Sequence, residues 1–310
     1  MRGLSTREET SALKAVIEPQ ATNAAHESPS PLSTQLLPEK PVVIIEPSRT
    51  GAGLGLRDLW AYRELLVFLA WRDLKVRYKQ TVLGVLWVLL QPLLMTVIFT
   101  VFIGFLVRVP TGGRPYALLV YIGLLPWTFF SSAVLQSGTS IVSNAHLITK
   151  VYFPRLIIPA AAVTARLVDF AISFVILAGL MIYYRAGVTA RIAMVPVLIL
   201  LVALLALGFG MLVSALNVKY RDIGVMLPVV LQLWMFVSPV VYPLSLVPEK
   251  LHVVYSLNPL VGIIQGFRSA ILGDAFYWPA LAVSAAIAVV LPIYSAYLFR
   301  RVERGFADII

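Results

Sequence analysis

Residues 71–107 read WRDLKVRYKQTVLGVLWVLLQPLLMTVIFTVFIGFLV, and this stretch decides the fold class. Its opening carries Arg72, Lys75, Arg77 and Lys79, whereas nothing from Thr81 to Val107 is charged. An uncharged apolar run of about 18 residues or more crosses a bilayer as a helix, and Lys and Arg packed beside it mark its cytoplasmic end. The chain therefore enters a membrane near Thr81, from inside.

Working outward, composition carries the same message over the whole chain: 59% hydrophobic and 13% charged residues describe a polytopic membrane protein. The formal net charge of +10 sits outside residues 1–50, which hold five basic and six acidic groups. Its cations are interleaved with apolar spans and form no continuous stripe, which identifies topology determinants rather than a nucleic-acid surface. The absence of cysteine excludes disulfides, thiolate chemistry and cysteine-ligated metal. His26, His146 and His252 lack metal-ligand spacing, so no metal site is expected.

The domain expectation is a disordered cytoplasmic tail at 1–50, a linker and inner-leaflet helix at 51–80, a six-span transmembrane domain at 81–304 and a cytoplasmic C-terminus at 305–310. The tail holds six Pro, six Ser and no aromatic residue, too little apolar surface to offset the entropy of ordering. It contains no apolar segment with a small-residue cleavage site, so the first span is expected to act as an uncleaved signal anchor. Gly51, Gly53 and Gly55 fit no nucleotide fingerprint, and no Gly-Lys-Ser/Thr occurs anywhere; they read as a flexible joint.

Residues 57–79 predict an amphipathic helix with Val67, Trp71, Leu74 and Tyr78 on one stripe and Arg72, Lys75 and Lys79 on another. Asp73 and Arg77 stand at i,i+4, and the aromatic rings suit headgroup depth on the inner leaflet. Hydropathy then predicts six spans near 81–107, 116–142, 159–184, 192–216, 223–243 and 278–299. With both termini inside, the cytoplasmic segments carry thirteen Lys and Arg against six outside, in keeping with the positive-inside rule. Between spans five and six, the apolar runs near 253–264 and 267–272 are too short to cross. Pro248, Asn258-Pro259, Gly262, Gly266 and Gly273 punctuate them, which predicts a re-entrant pair of short helices.

Four local features are candidates for function. The segment Asn144 to Pro159 mixes His146, Lys150 and Arg155 with Leu147, Tyr152 and Phe153, which suits either a helix docking into a soluble partner or one lying against headgroups. The turn NVKYRD at 217–222 faces the same side. Arg166 and Asp169 share a face of span three, with Asp169 about 15 Å from a helix start at Pro159, and such charges are either a structural ion pair or functional. Finally, Trp87, Gln91, Phe130, Gln136, Gln232, Trp234 and Tyr242 supply amides and flat rings within or beside spans, a chemistry suited to polyhydroxylated substrate.

The runs WRDLKVRYKQTVLGVLWVLLQPLL, ITKVYFPRLIIP, LNVKYRDI, SPVVYPLSLVPEK and LNPLVGIIQGFRSAILG resemble the ABC-2 type transport permeases that export bacterial cell-surface polysaccharides. The resemblance spans about residues 56–304. It implies a homodimer in the bacterial inner membrane, paired with two copies of a separate ATPase that holds ATP and Mg, so this chain has no cofactor and is no enzyme. It further implies that residues 57–79 and Asn144 to Arg155 contact the ATPase, and that the re-entrant pair sits at the periplasmic end of the channel. The expected substrate is a lipid-linked glycan, O-antigen first, then capsule, teichoic acid or a small lipid or drug. Arg72, Arg77 and Arg155 are candidates to recognise its pyrophosphate. A membrane enzyme would need a carboxylate pair or metal site, and a secondary transporter would couple protons through Asp169.

Overall fold

The computed structural model describes residues 60–79, 84, 86–107, 109–150 and 153–303. The expectations for the 1–50 tail, the glycine joint, Tyr152 and residues 305–310 fall outside these. The described residues are helical with no strand among them. They comprise α1 (Arg63–Lys79), α2 (Leu86–Phe99, continued by a π-helical stretch Thr100–Val107), α3 (Tyr116–Ser143), α4 (Ala145–Lys150) and α5 (Ile157–Tyr183). After a 3₁₀ turn at Ala190–Met194 follow α6 (Val195–Lys219), α7 (Asp222–Val237), α8 (His252–Ser256), α9 (Pro259–Leu272) and α10 (Trp278–Glu303).

The bundle is built around α3. In its most apolar stretch 78% of residues are buried inside the subunit, against 11% for α2 with its extension, so α3 is the centre and α2 a peripheral, outward-facing helix. α3 packs on α5 and α6, and α6 packs on α10. Lipid tails are as apolar as leucine, so burial alone does not drive such helices together; close packing and interhelical hydrogen bonds do. The run Ile157 to Val163 of α5, almost all Ala and Ile, supplies the smooth surface that permits it and is buried throughout.

Among the described residues, five helices are long and apolar enough to cross a membrane: Leu86–Val107, Tyr116–Ser143, Ile157–Tyr183, Ala190–Lys219 and Trp278–Glu303. The sequence predicts six, and the difference lies at the fifth. α7 has 16 residues, about 24 Å of helix, and stops at Val237 rather than at 243. Ser238 is extended (φ −103°, ψ 149°) because it precedes Pro239, whose ring disfavours helical backbone at the residue before it. In the first span the described helix begins at Leu86, with a turn at Gly84; Thr81 falls outside the described residues.

Two short helices follow α7, but they divide at 257–258 rather than near Gly266: α8 ends at Ser256, and α9 runs unbroken through Gly262 and Gly266. Asn258 caps α9 by accepting a hydrogen bond from the Leu260 N–H, with Pro259 at the first helical position, where its missing N–H costs nothing. Gly273 ends it in the left-handed conformation (φ 78°), which a Cβ would disfavour. α9 is buried along nearly its whole length.

The predicted faces of α1 need correction. Val67 and Trp71 are exposed, and the helix instead docks on α5 through Leu69, Ala70 and the partly buried Leu65 and Leu66. Asp73 and Arg77 do not pair with each other: Asp73 binds Arg72 and Arg77 binds Asp169. The reason is that α1 carries two apolar faces. One covers α5, and the other, with Val67, Phe68 and Trp71, is left outward beside Lys75 and Lys79.

Candidate functional site

The end of the bundle formed by α1, the C-terminal part of α3 and the N-terminal part of α5 gathers the polar side chains. Asp169 lies twelve residues into α5, about 18 Å along it, and is 9% exposed. A carboxylate there needs partners, because burying an unpaired charge is prohibitive. It has three. Arg77 of α1 donates to Oδ2, Arg166 donates to the same oxygen at 3.3 Å, and the Tyr78 hydroxyl donates to Oδ1. Burial first, and then the Asp169 carboxylate, push the Tyr78 phenol up to about 12, so it remains a neutral donor at physiological pH.

Gln136 of α3 closes the network. Its Oε1 accepts from Arg77 Nη2 (2.7 Å) and from Arg166 Nη2 and Nε (2.6 and 3.1 Å). An amide oxygen between two guanidinium groups lets them approach without a second carboxylate, so the arginines outnumber the acids. Nearer the helix ends, Arg72 Nη2 bridges Asp73 Oδ1 and Asn144 Oδ1, each at 2.8 Å. Asn144 is itself tied to the Ser140 carbonyl.

Between these groups is a cavity of about 420 Å³ lined by Arg72, Asp73, Gln136, Thr139, Ser140, Ser143, Asn144 and Arg166. Arg72, Arg77 and Arg166 face Asp73 and Asp169, which leaves one positive charge in excess. Guanidinium forks beside hydroxyls and an amide are suited to holding a phosphate or carboxylate. Both carboxylates here are already ion-paired, which leaves neither as a free general base.

The other sequence-predicted residues fall elsewhere. Arg155 donates to the Glu303 carbonyl (3.0 Å) and pairs with its carboxylate across to α10, away from Arg72 and Arg77. Phe153 is buried and Leu147 partly so, both in the cluster under α1, whereas His146, Thr149 and Lys150 are exposed. Leu147 lies on the six-residue α4 and Phe153 just after it, and both pack on the protein's own core. Lys75, Lys79, Trp87, Gln91 and Gln232 are exposed.

Phe130 corrects the pathway expectation: it is fully buried, edge-on to Phe209 and Trp234 at 5.7 and 5.4 Å, and so fills the subunit core. Trp234 donates to Asn258 Oδ1, and the Tyr242 hydroxyl meets that of Tyr255, so both brace the α7 to α9 connection. Asn217 of the NVKYRD turn is buried, donating to the Gly138 carbonyl and accepting from the Gly224 N–H of α7.

Sequence reasoning placed Tyr78 on an apolar stripe and missed it as a partner of Asp169. It also passed over Ser140, although Gln136, Ser140 and Asn144 recur every four residues on α3 and so form one polar line inside an apolar helix.

At the opposite end of α3, Gly123 marks a close approach. A Cβ there would stand 2.3 Å from the Val240 carbonyl oxygen and 2.9 Å from Arg268 Nη2. Gly123→Ala is therefore expected to destabilise the protein by about 1–3 kcal/mol through forced backbone displacement, read as a lowered Tm in detergent.

The described residues thus form an all-helical, multi-pass membrane bundle with a cationic pocket where a surface helix meets it. The chain belongs to the ABC-2 type transporter family, whose sequence profile matches residues 64–272. It is 31% identical to the O-antigen export system permease protein RfbA of Myxococcus xanthus, over 82% of this chain and 98% of that protein. A Klebsiella pneumoniae protein of the same name is 28% identical over 80% of this chain and 95% of its own length. The polysialic acid transport protein KpsM of Escherichia coli is 24% identical over 65% and 78%.

Proposed function

We propose that this chain is the permease of an ATP-driven exporter that moves a lipid-linked polysaccharide, O-antigen first, from the cytoplasm across the bacterial inner membrane. The O-antigen and polysialic acid relatives support a surface glycan as cargo. The observation that carries the reading is the cationic cavity between α1, α3 and α5, bordered by a surface helix whose outer face is apolar. A glycolipid presents a phosphate and an acyl or prenyl chain together, and this surface offers a fork of arginines beside lipid-facing Val67, Phe68 and Trp71. Arg72 and Arg166 line the cavity, and Arg77 is held behind Gln136.

The working unit is a homodimer with two copies of an ATPase subunit carrying ATP and Mg. α7 is the fifth of six spans, completed by the extended turn after Val237, and both termini are cytoplasmic. α8 and α9 form the re-entrant pair at the periplasmic end. His146 and Lys150 face the ATPase, and Gln91 and Gln232 face the glycan path. ATP binding drives transport only through a difference in affinity between the inward- and outward-open states.

The test is complementation of a permease-deficient strain with this chain and the ATPase encoded beside it, reading surface glycan by electrophoresis. Wild type is expected to restore it. Arg72→Ala is expected to lower surface glycan roughly 10-fold, the loss of one charge-assisted contact, with the ATPase still co-purifying. Assembly of the complex with no glycan reaching the surface overturns the proposal.

A further inference from the structure

Arg268 on α9 is 4% exposed, and no carboxylate among the described residues lies within ion-pair distance of it. Its Nη1 donates to the Tyr242 carbonyl at 2.9 Å and, more weakly, to Gln265 Oε1 at 3.4 Å, and its Nη2 to the Val240 carbonyl at 2.8 Å. Its buried Nε has no hydrogen-bond partner among the described residues. A guanidinium does not lose its proton, so a full positive charge is held here on neutral carbonyl and amide oxygens, with two of its five N–H donors unused.

Arg268 also lines a cavity of about 350 Å³ together with Arg114, Ser245, Gln265, Ser269 and Asp274. Arg114 and Asp274 form a two-pronged ion pair and cancel each other's charge. The cavity thus keeps one positive charge in excess, at the end of α3 remote from α1. A buried charge without a counter-ion beside an open cavity is the arrangement an anionic ligand completes.

We infer that this second cavity binds an oxyanion of the phosphate class, with Arg268 as its charge. The inference concerns binding alone and stands apart from the transport reading. Free phosphate and a phospholipid headgroup present the same chemistry, and the experiment separates them.

The chain has no cysteine, so Ser245→Cys places a single thiol at an exposed position of the cavity lining. The full-length variant, in phosphatidylcholine nanodiscs, is treated with an anionic sulfonatoethyl and a cationic trimethylammonioethyl methanethiosulfonate. Each rate is normalised to reaction with a free thiol. The anionic reagent is expected to react roughly 10-fold faster, the enrichment a cationic cleft gives an anion. Arg268→Gln in that background is expected to remove the preference. Protection by millimolar inorganic phosphate identifies a free anion as ligand, whereas protection by phosphatidic acid in the nanodisc, without added phosphate, identifies a headgroup. Labelling indifferent to reagent charge, with no protection from either, overturns the inference. This arm uses Ser245→Cys alone and holds even if the Arg268 variant does not fold.

Discussion

Replacing Asp169 by alanine is expected to cost about 3–5 kcal/mol of stability, the range for removing one partner of a buried ion pair. The side chains of Arg77, Arg166 and Asp169 are 22%, 24% and 12% exposed, so solvent screens them little. With the carboxylate gone, Arg77 and Arg166 share only the Gln136 oxygen and repel each other across it. Tyr78 loses its acceptor, and α1, which has few other polar ties to α5, loosens. The measurement is the Tm of the detergent-solubilised protein by fluorescence-detected size exclusion. Combining Asp169→Ala with Arg77→Ala is expected to be milder than the sum of the two, with a coupling of about 1–3 kcal/mol, because the second change relieves the repulsion left by the first. Strict additivity would show that the pair does not hold α1 in place.

Phe130→Ala is expected to be as damaging, at about 3–5 kcal/mol, by a different route. The ring is 0% exposed and meets Phe209, Trp234 and Trp127 in edge-on or tilted contacts. Truncation leaves a cavity where α3, α6 and α7 converge, and tightly packed helices do not collapse to fill it. Phe130→Leu, which retains most of the volume, is expected to lose markedly less. The same thermal measurement checks both. A variant of normal stability whose glycan export alone is altered would instead return Phe130 to the substrate path.

Much of the architecture was readable in the residues. Uncharged runs between clusters of Lys and Arg located the long helices to within a few residues, since a bilayer demands a fixed length of apolar helix. The exception was α7, where the apolar run continues to Tyr242 but the chain leaves the helix before Pro239. Hydropathy counts side chains and is blind to a backbone restriction of that kind. The candidate site was half legible. Arg166 and Asp169 stood out as charges inside a span, and Arg72, Arg77 and Asn144 as polar residues beside one. That Gln136 joins two arginines, that Tyr78 turns inward, and that Arg155 faces Glu303 were not legible, because each depends on how helices distant in sequence are rotated about their axes.

What the sequence determined by itself is therefore one-dimensional: which segments are apolar and long enough to cross, where the basic flanks lie, and the family to which the motifs belong. Those follow from transfer free energies and spacing along the chain, which need no knowledge of neighbours. The tertiary structure alone decided the destination of each side chain. It sent Phe130 to the core and left Gln232 exposed, turned Arg77 from Asp73 to Asp169, and buried Arg268 without a counter-ion. Helices in lipid are equally apolar on many faces, so hydrophobicity does not set their rotation. Close packing and a handful of interhelical hydrogen bonds do, and these exist only once the partners have met.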